Sequence, residues 1–303
     1  MSKKSKDGSV GPWAKEKLAA LGDYLGFYTT ALKKQGHWLR GTTFVDAFAG
    51  PGLSPIRSGP KPAETSSFLE VIPEAGEEQV EFVKGSPRVA LDIATPFSSY
   101  LFIDLDPKRV AELDALKQEY GATRNIVVFE GDANAGIQEW LASGIDWKHH
   151  RAVVFLDPFG MQVSWETIKA LAATKAIEVI INFPLHMAIQ RLLTKSGEIP
   201  PRWQESLNAL FGSPEWRLLT YQEDKDLFGT TTSKTADSGL RLLEWYRGRL
   251  KSIFGNASPA RLVKNTRGNP LYYLIWAGPN RLGLKGAVHV LGNAEPSLRT
   301  RKK

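Results

Sequence analysis

Short apolar runs alternate with longer amphipathic segments through the middle of the chain. The runs predict buried strands, and the segments between them predict helices. Strands that alternate with helices are typical of a parallel sheet that is covered by helices on both faces. The predicted strands are 42–48, 99–104, 125–130, 151–156 and 176–183, and the helices that follow the second, third and fourth strands are 107–119, 135–143 and 165–174.

The segments before and within this core follow other patterns. Leucine and tyrosine recur every three or four residues over 13–35, which predicts an amphipathic helix, whereas residues 1–11 are expected to be disordered. Segment 51–85 is rich in glycine and proline and too long for an ordinary connection, so we expect a binding loop or an insertion there. It is followed by Ser86 and Pro87, which predict an N-cap and a first helical residue.

The C-terminal third departs from the alternation. Segment 185–258 predicts helices interrupted by proline and glycine turns. Predicted strands at 260–266 and 271–277, separated by the turn Arg267-Gly268-Asn269, indicate an antiparallel hairpin. We therefore expect a single α/β domain over 1–303 with a mostly parallel sheet. Its parts are the N-terminal helix at 13–35, the α/β core at 42–184, a helical insertion or cap at 185–258 and strands that complete the sheet at 259–292.

The composition narrows the class of protein. The chain has 303 residues, of which 42% are hydrophobic, and it has no cysteine, which excludes disulfides, thiolate metal sites and a cysteine nucleophile. The histidines show no ligand spacing, so no metal is expected. The absence of cysteine fits a reducing, cytoplasmic setting, which is the expected location. No membrane partner is expected, since no apolar run is long enough to span a membrane and no secretory signal is apparent.

The net charge of +7 is concentrated near the ends of the sequence. The first seven residues carry +2 and the last five carry +4, which leaves +1 for the rest of the chain. Basic tails can bind phosphates, but solvated tails have the same composition. Nucleic acid therefore stays open as a partner.

Polar residues and glycines directly follow four of the predicted strands. The carboxyl ends of parallel strands meet at one edge of a sheet, and ligands bind there at the point where the strand order reverses. Four such ends predict a site of nucleoside size. The candidate cofactor-binding residues are Asp46, Ala47, Phe48, Ala49, Gly50 and Gly52 after the first strand, Asp104 and Leu105 after the second, and Asp132 and Ala133 after the third. The candidate catalytic residues follow the fourth strand and are Asp157, Pro158 and Phe159.

The first three groups each have a chemical and a structural interpretation. Glycines allow backbone amides to approach a ligand carboxylate or ribose, although a Gly-Pro-Gly turn can follow any strand. The third glycine of the dinucleotide fingerprint is missing, which disfavours a nicotinamide cofactor. Asp104 can accept both hydroxyls of a ribose, and Asp106 can cap the next helix. Asp132 can accept from an adenine amino group, and either Asp132 or Asn134 can cap the following helix; these roles are compatible.

The fourth group suggests transfer chemistry. The carboxylate of Asp157 can accept a hydrogen bond from an amine that attacks an electrophilic methyl group. Pro158 fixes the local backbone, and Phe159 offers a face on which a flipped-out base or another planar group can stack. The structural alternative is a turn that carries a core phenylalanine.

Together these motifs resemble those of the class I S-adenosylmethionine-dependent methyltransferases, and more closely those of the three-Cys-motif partner protein (TcmP) family. The resemblance covers most of 13–280. It rests on the helix at 17–32 and on the motifs Val45-Asp46-Ala47-Phe48-Ala49-Gly50-Pro51-Gly52, Gly85-Ser86-Pro87, Asp104-Leu105-Asp106-Pro107, Gly131-Asp132-Ala133-Asn134, Phe155-Leu156-Asp157-Pro158-Phe159-Gly160-Met161, Asn182-Phe183-Pro184 and Arg191-Leu192-Leu193.

The resemblance implies a Rossmann-like class I methyltransferase fold and S-adenosylmethionine as the cofactor. In that family pattern the segment from Asp46 to Gly52 approaches the methionine moiety, Asp104 the ribose and Asp132 the adenine, while Asp157 faces the methyl acceptor. The resemblance also implies a partner, a three-Cys-motif protein similar to radical-SAM enzymes.

Two functions are compatible with this resemblance. The first is methyl transfer to a nitrogen, with nucleic acid among the possible acceptors, and the second is a non-catalytic adaptor that retains a cofactor-binding fold and acts by binding its partner. Enzymes that methylate exocyclic amines of bases usually carry an acid or asparagine, two prolines and then an aromatic residue. Here only Pro158 separates Asp157 from Phe159, so the sequence leaves the acceptor open among DNA, RNA, protein and small molecules.

Overall fold

The computed structural model describes residues 13–50, 53–55, 82–226, 229–265 and 268–292. The expected disorder at 1–11, both basic tails and most of segment 51–85 lie outside these residues. The elements in chain order are α1 (Trp13–Lys33), β1 (Gly41–Asp46), β2 (Leu53–Pro55), β3 (Phe82–Lys84), α2 (Ser86–Leu91), β4 (Ser99–Asp104), α3 (Pro107–Tyr120), β5 (Ile126–Glu130), α4 (Ala133–Leu141), β6 (His150–Leu156), α5 (Trp165–Ala173), β7 (Ile177–Phe183), a π-helical turn (Leu185–Ile189), α6 (Gln190–Leu192), α7 (Pro201–Phe211), α8 (Trp216–Thr220), β8 (Tyr221–Asp226), β9 (Gly229–Lys234), α9 (Ser238–Phe254), β10 (Asn256–Ala257), β11 (Arg261–Lys264), β12 (Pro270–Gly278) and α10 (Arg281–Leu291).

Within the described residues, eight strands form one mixed sheet. Its order is β10-β12-β7-β6-β1-β4-β5, and β11 also pairs with β12. The pairs from β5 to β7 are parallel, whereas β12 is antiparallel to β7, β10 and β11. The chain starts in the middle at β1, builds outward through β4 and β5, and then returns to the other side of β1 with β6 and β7. This is the doubly wound order, extended by an antiparallel strand at one edge.

The topology confirms the predicted α/β fold class, a Rossmann-like fold with a mostly parallel sheet and a C-terminal antiparallel hairpin. Helices cover both faces of this sheet. Buried side chains of α1, α2, α3 and α10 pack on one face, and those of α4, α5, α7 and α9 pack on the other. Because β6 and β7 have apolar side chains on both faces, most of their residues are apolar, whereas β1 also contains Thr42, Thr43 and Asp46.

Four local predictions were wrong. Segment 259–292 does not consist only of strands, because α10 occupies Arg281–Leu291. The insertion is not purely helical, because β8 and β9 pair as an antiparallel hairpin within 185–258. The first strand ends at Asp46 rather than at residue 48. Ser86 does not cap α2, since Gly85 occupies the N-cap position and no side chain hydrogen-bonds there, whereas Pro87 does lie in the first turn. Among the described helices, none is long and apolar enough to cross a membrane.

Candidate functional site

The order of the sheet reverses between β1 and β6, so the carboxyl ends of these two central strands define the candidate site. Asp46, the last residue of β1, pairs in register with Phe155 of β6 on one side and with Phe102 of β4 on the other. The amide of Ala47 donates to the carbonyl of Phe155 over 3.1 Å, which extends the contact past the strand end. The predicted strand-end residues that the structure describes therefore lie along one edge.

The loop after β1 is held against β4 by Asp104. One carboxylate oxygen of Asp104 accepts from the amide of Gly50 and the other from the amide of Asp106, both over 2.9 Å. The amide of Ala49 donates to the carbonyl of Ile103 over 3.0 Å. Gly50 has φ +61°, a conformation that L side chains rarely adopt, which explains the glycine at this tight turn. Gly52 lies outside the described residues.

Asp46 is a fully buried acid at the centre of the site. The amide of Phe48 donates to Oδ1 over 3.2 Å, whereas Oδ2 has no hydrogen-bond partner in the part of the chain that the structure describes. Burial raises the pKa of Asp46 from 3.8 to about 7, which the nearby Ser86 hydroxyl and the Phe48 amide partly oppose. The negative charge of Asp157 adds to the increase, and the positive charge of Lys17 reduces it.

Asp157, after β6, is already paired on both oxygens. Lys17 Nζ forms a short ion pair with Oδ2, and Asn182 Nδ2 donates to Oδ1 over 2.6 Å. The side chains of Lys17 and Asp157 are only 12% and 22% exposed. The amine-accepting oxygen that the sequence predicts is therefore held by a cation from α1.

Sequence reasoning missed Lys17 and assigned no role to Asn182. A weak signal existed for each. Lys17 lies four residues before Leu21 and seven before Tyr24, so it belongs to the buried stripe of α1, where a cation needs an acidic partner. Asn182 is a buried polar residue in an otherwise apolar stretch of β7.

Among the described residues, three further buried polar atoms in β7, in β12 and in the turn after β7 have no hydrogen-bond partner. They are Asn182 Oδ1, Tyr272 Oη and His186 Nε2. Tyr272 lies 5.5 Å from Lys17 Nζ, measured to the ring centroid, and burial together with the charge of Asp157 raises its pKa. Buried polar atoms are nearly always hydrogen-bonded, so buried atoms that have no hydrogen-bond partner indicate positions where a polar ligand or water can bind.

Asp132 and Asp106 both cap helices, as predicted. Asp106 Oδ1 accepts from the amide of Lys108, and Asp132 Oδ1 accepts from the amides of Asn134 and Ala135 over 2.9 and 3.1 Å. Asp132 is exposed, and its second oxygen makes no hydrogen bond to any described residue, so capping leaves it free to accept from a ligand. Ala133 is buried at the start of α4.

The two apolar candidates, Leu105 and Phe159, are 71% and 70% exposed. The alternative of a core phenylalanine at Phe159 is therefore wrong. The guanidinium of Arg109, on α3, lies over the Phe159 ring at 5.3 Å from its centroid. Pro158, between Asp157 and Phe159, is buried.

One large depression in the described structure lies away from this edge of the sheet. An open depression of about 960 Å³, lined by Ser98, Lys117 and Arg124 among others, lies at the amino ends of β4 and β5, on the opposite edge of the sheet. Within the described residues, no group of three or more His, Asp or Glu side chains is arranged to hold a metal ion.

Several solved structures are similar to this chain at low sequence identity. A protein from Legionella pneumophila (LPL1258) is 11% identical over 90% of this chain and 91% of its own, with a TM-score of 0.47. Magnesium protoporphyrin IX methyltransferase from Synechocystis, solved with bound S-adenosylhomocysteine, is 12% identical over 90% of each chain, with a TM-score of 0.35. The N-terminal domain of EvdMO1, solved in the presence of S-adenosylhomocysteine and D-fucose, is 10% identical over 84% and 83%, with a TM-score of 0.34.

TM-scores below 0.5 do not by themselves assign an activity to this chain. No family model and no curated protein sequence matches it. The case for a function therefore rests on the topology and on the residues at the sheet edge.

Proposed function

We propose that this protein binds S-adenosylmethionine at the carboxyl edge of its sheet and transfers the methyl group to a nitrogen of an acceptor. One observation carries the proposal. At the point where the strand order reverses, a fully buried acid, Asp46, lies near a lysine and an acid that are each largely buried, Lys17 and Asp157, and beside polar atoms that have no partner among the described residues. This set complements a zwitterion, which is the form of the amino-acid end of S-adenosylmethionine.

Individual groups fit the two ends of that molecule. The free Oδ2 of Asp46 suits the ammonium group, and Lys17 suits the carboxylate. Asp104 keeps acceptor capacity for ribose hydroxyls, because each of its oxygens accepts only one backbone amide. Asp132 has one oxygen left for an adenine amino group. Acids that follow separate parallel strands in this way are typical of nucleoside sites in doubly wound folds.

The chemistry divides between the bound molecule and the chain. S-adenosylmethionine supplies an electrophilic methyl group on a sulfonium. The chain would hold the acceptor amine in line, and Asp157 would accept a hydrogen bond from it, which increases electron density on the nitrogen. As the new N–methyl bond replaces the sulfonium S–methyl bond, S-adenosylhomocysteine would leave and the amine proton would pass to Asp157 or to solvent. That role needs an oxygen of Asp157, so Lys17 must move away from it or the amine must bind the remaining lone pairs.

The finer parts of the proposal rest on the motifs. Membership of the TcmP type, and with it a three-Cys-motif partner, is supported by the motif order at the strand ends. A nucleic-acid acceptor is supported by the basic composition of the two ends of the sequence. The adaptor alternative is favoured by one observation, the ion pair that occupies Asp157.

Thermal unfolding with and without S-adenosylmethionine tests cofactor binding. Ligand at 100 times its Kd adds about 2.7 kcal/mol of stability, which raises Tm by about 4 °C for a protein of this size. Asp104→Asn should abolish the rise. Asp106→Asn is the matched control, because asparagine can still cap α3 and the side chain of Asp106 is not assigned to the ligand. No rise with the wild-type protein at millimolar ligand would overturn the proposal.

Transfer of a labelled methyl group tests the reaction. The protein is incubated with [methyl-³H]S-adenosylmethionine and separate pools of RNA, DNA, protein and small metabolites. We expect label in one pool and its loss in Asp157→Ala, while the cofactor affinity of that variant stays within about 1 kcal/mol of the wild type. Cofactor binding without transfer to any pool, with and without the partner present, would favour the adaptor.

A further inference from the structure

We infer that Phe159 and Arg109 form the wall of the nucleoside half of the cofactor pocket, and that Phe159 does not hold the methyl acceptor. This inference rests on the proposed function and changes the role that the sequence predicts for Phe159. Three sets of contacts support it.

The first set places the Phe159 ring beside the acid assigned to the ribose. Arg109 belongs to α3, which follows β4, and its guanidinium lies over the Phe159 ring at 5.3 Å. The same guanidinium approaches Asp104 Oδ2 at 3.7 Å and Asp106 Oδ2 at 3.9 Å. Although Phe159 follows β6, its ring is thus next to a side chain that contacts the end of β4, across β1.

The second set directs the loop after Phe159 toward the acid assigned to the adenine. Asn134, in the first turn of α4, donates from Nδ2 to the carbonyl of Gln162 over 2.8 Å and accepts at Oδ1 from the amide of Ser164 over 2.9 Å. Gln162 in turn accepts at Oε1 from the amide of Gly160 over 2.8 Å. Asn134 is two residues from Asp132, so the loop is fastened to the start of the helix that Asp132 caps.

The third set shows that Asp157 points elsewhere. Its carboxylate contacts Asn182 of β7, which lies on the other side of β6 from β1 and β4, and Lys17 of α1. Asp157 and Phe159 therefore diverge after one intervening residue, Pro158. An acceptor amine at Asp157 lies on the β7 side, whereas the ring of Phe159 lies on the β4 side.

The chemistry of the ring matches a purine. Phe159 is 70% exposed, so its surface is available for stacking without repacking of the core. Stacking of a base on an aromatic side chain is sequence-tolerant and lowers the dissociation constant substantially. Arg109 supports the ring through its cation–π contact and adds hydrogen-bond donors to a site that otherwise offers acids.

Calorimetric titration with two probes tests the inference without an acceptor. The probes are S-adenosylhomocysteine, which contains both the nucleoside and the amino-acid part of the cofactor, and 5′-methylthioadenosine, which contains the nucleoside but lacks the amino-acid part. We expect Phe159→Ala to weaken both probes by a similar factor, about 5- to 100-fold. Phe159→Tyr should restore affinity for both to within about threefold. Lys17→Met is the contrasting variant, since it should weaken S-adenosylhomocysteine and leave 5′-methylthioadenosine unchanged.

The outcomes separate this inference from the proposed function. If the wild-type protein binds neither probe, the proposed function fails and this inference fails with it. If the wild type binds both probes and Phe159→Ala keeps both dissociation constants within twofold, only the inference is overturned. Phe159 is then assigned to the methyl acceptor, as the sequence predicts. Circular dichroism of Phe159→Ala shows whether the variant is folded. Because the ring is exposed, we expect a native spectrum.

Discussion

Replacing Asp46 by asparagine should make the protein more stable above pH 7. Burial raises the pKa of Asp46 to about 7, whereas the carboxyl titrates near 3.8 without that burial, as in the unfolded chain. Between these pH values the folded protein holds a proton that the unfolded chain has released. The free energy of unfolding therefore decreases as the pH rises through this interval, by about 1.4 kcal/mol per pH unit. Over an interval of about three units the decrease is about 4 kcal/mol.

Asparagine has the shape of the acid and does not titrate. Its oxygen can still accept from the Phe48 amide, so Asp46→Asn should match the wild type within about 1 kcal/mol near pH 4 and exceed it by up to about 4 kcal/mol at pH 8. Urea unfolding followed by circular dichroism at pH 5, 6, 7 and 8 measures the difference. Glu178, whose pKa burial also raises to about 7, is present in both proteins and cancels.

The same substitution should weaken S-adenosylhomocysteine binding, because the ammonium group loses its anionic partner. For the wild type, affinity should fall about tenfold per pH unit below 7, since binding must first remove the proton from Asp46. The affinity of Asp46→Asn should not depend on pH in this range. Parallel stability curves for the two proteins, or a variant less stable at pH 8, would refute the reasoning and show that Asp46 is a well-paired anion.

Three further substitutions have defined outcomes. Lys17→Met should lower stability by about 1–3 kcal/mol in urea unfolding, less than for a fully buried pair, because it leaves Asp157 without its cation; an unchanged midpoint would contradict this. Glu178→Gln should raise the free energy of unfolding above pH 7, where the buried acid is charged in the wild type. It should leave S-adenosylhomocysteine binding unchanged, and weaker binding would show that this residue contributes to the site. Gly212→Ala should lower the free energy of unfolding by about 2–4 kcal/mol, because Gly212 has φ +63° and an added Cβ would lie 2.3 Å from the Trp165 ring. A calorimetric Tm equal to that of the wild type would contradict this prediction.

The core strands were predictable because their signal is local. A strand such as β7 is buried on both faces, so almost every position is apolar, and the run is visible without knowledge of its neighbours. The helix caps at Asp106 and Asp132 were predictable for the same reason, since a cap involves residues only two or three positions apart.

The β8–β9 hairpin carries no such signal. Its first strand begins Tyr221-Gln222-Glu223, without an alternation of apolar and polar residues. Long-range hydrogen bonds hold it instead: Tyr221 Oη donates to the carbonyl of Thr194, and Lys234 Nζ donates to the carbonyl of Leu193. Tertiary contacts therefore override a sequence that resembles a solvent-exposed segment.

For the site, the sequence alone determined which strand ends carry acids and glycines, because those residues directly follow recognisable strands. Only the tertiary structure decided how they pair. Lys17 and Asp157 are 140 positions apart, and nothing in either local sequence indicates the other. In the sequence, only one proline separates Asp157 from Phe159, so the two residues suggest a single catalytic unit. They separate in the fold because their partners, Asn182 and Arg109, lie on opposite sides of β6, and a side chain's role depends on what surrounds it.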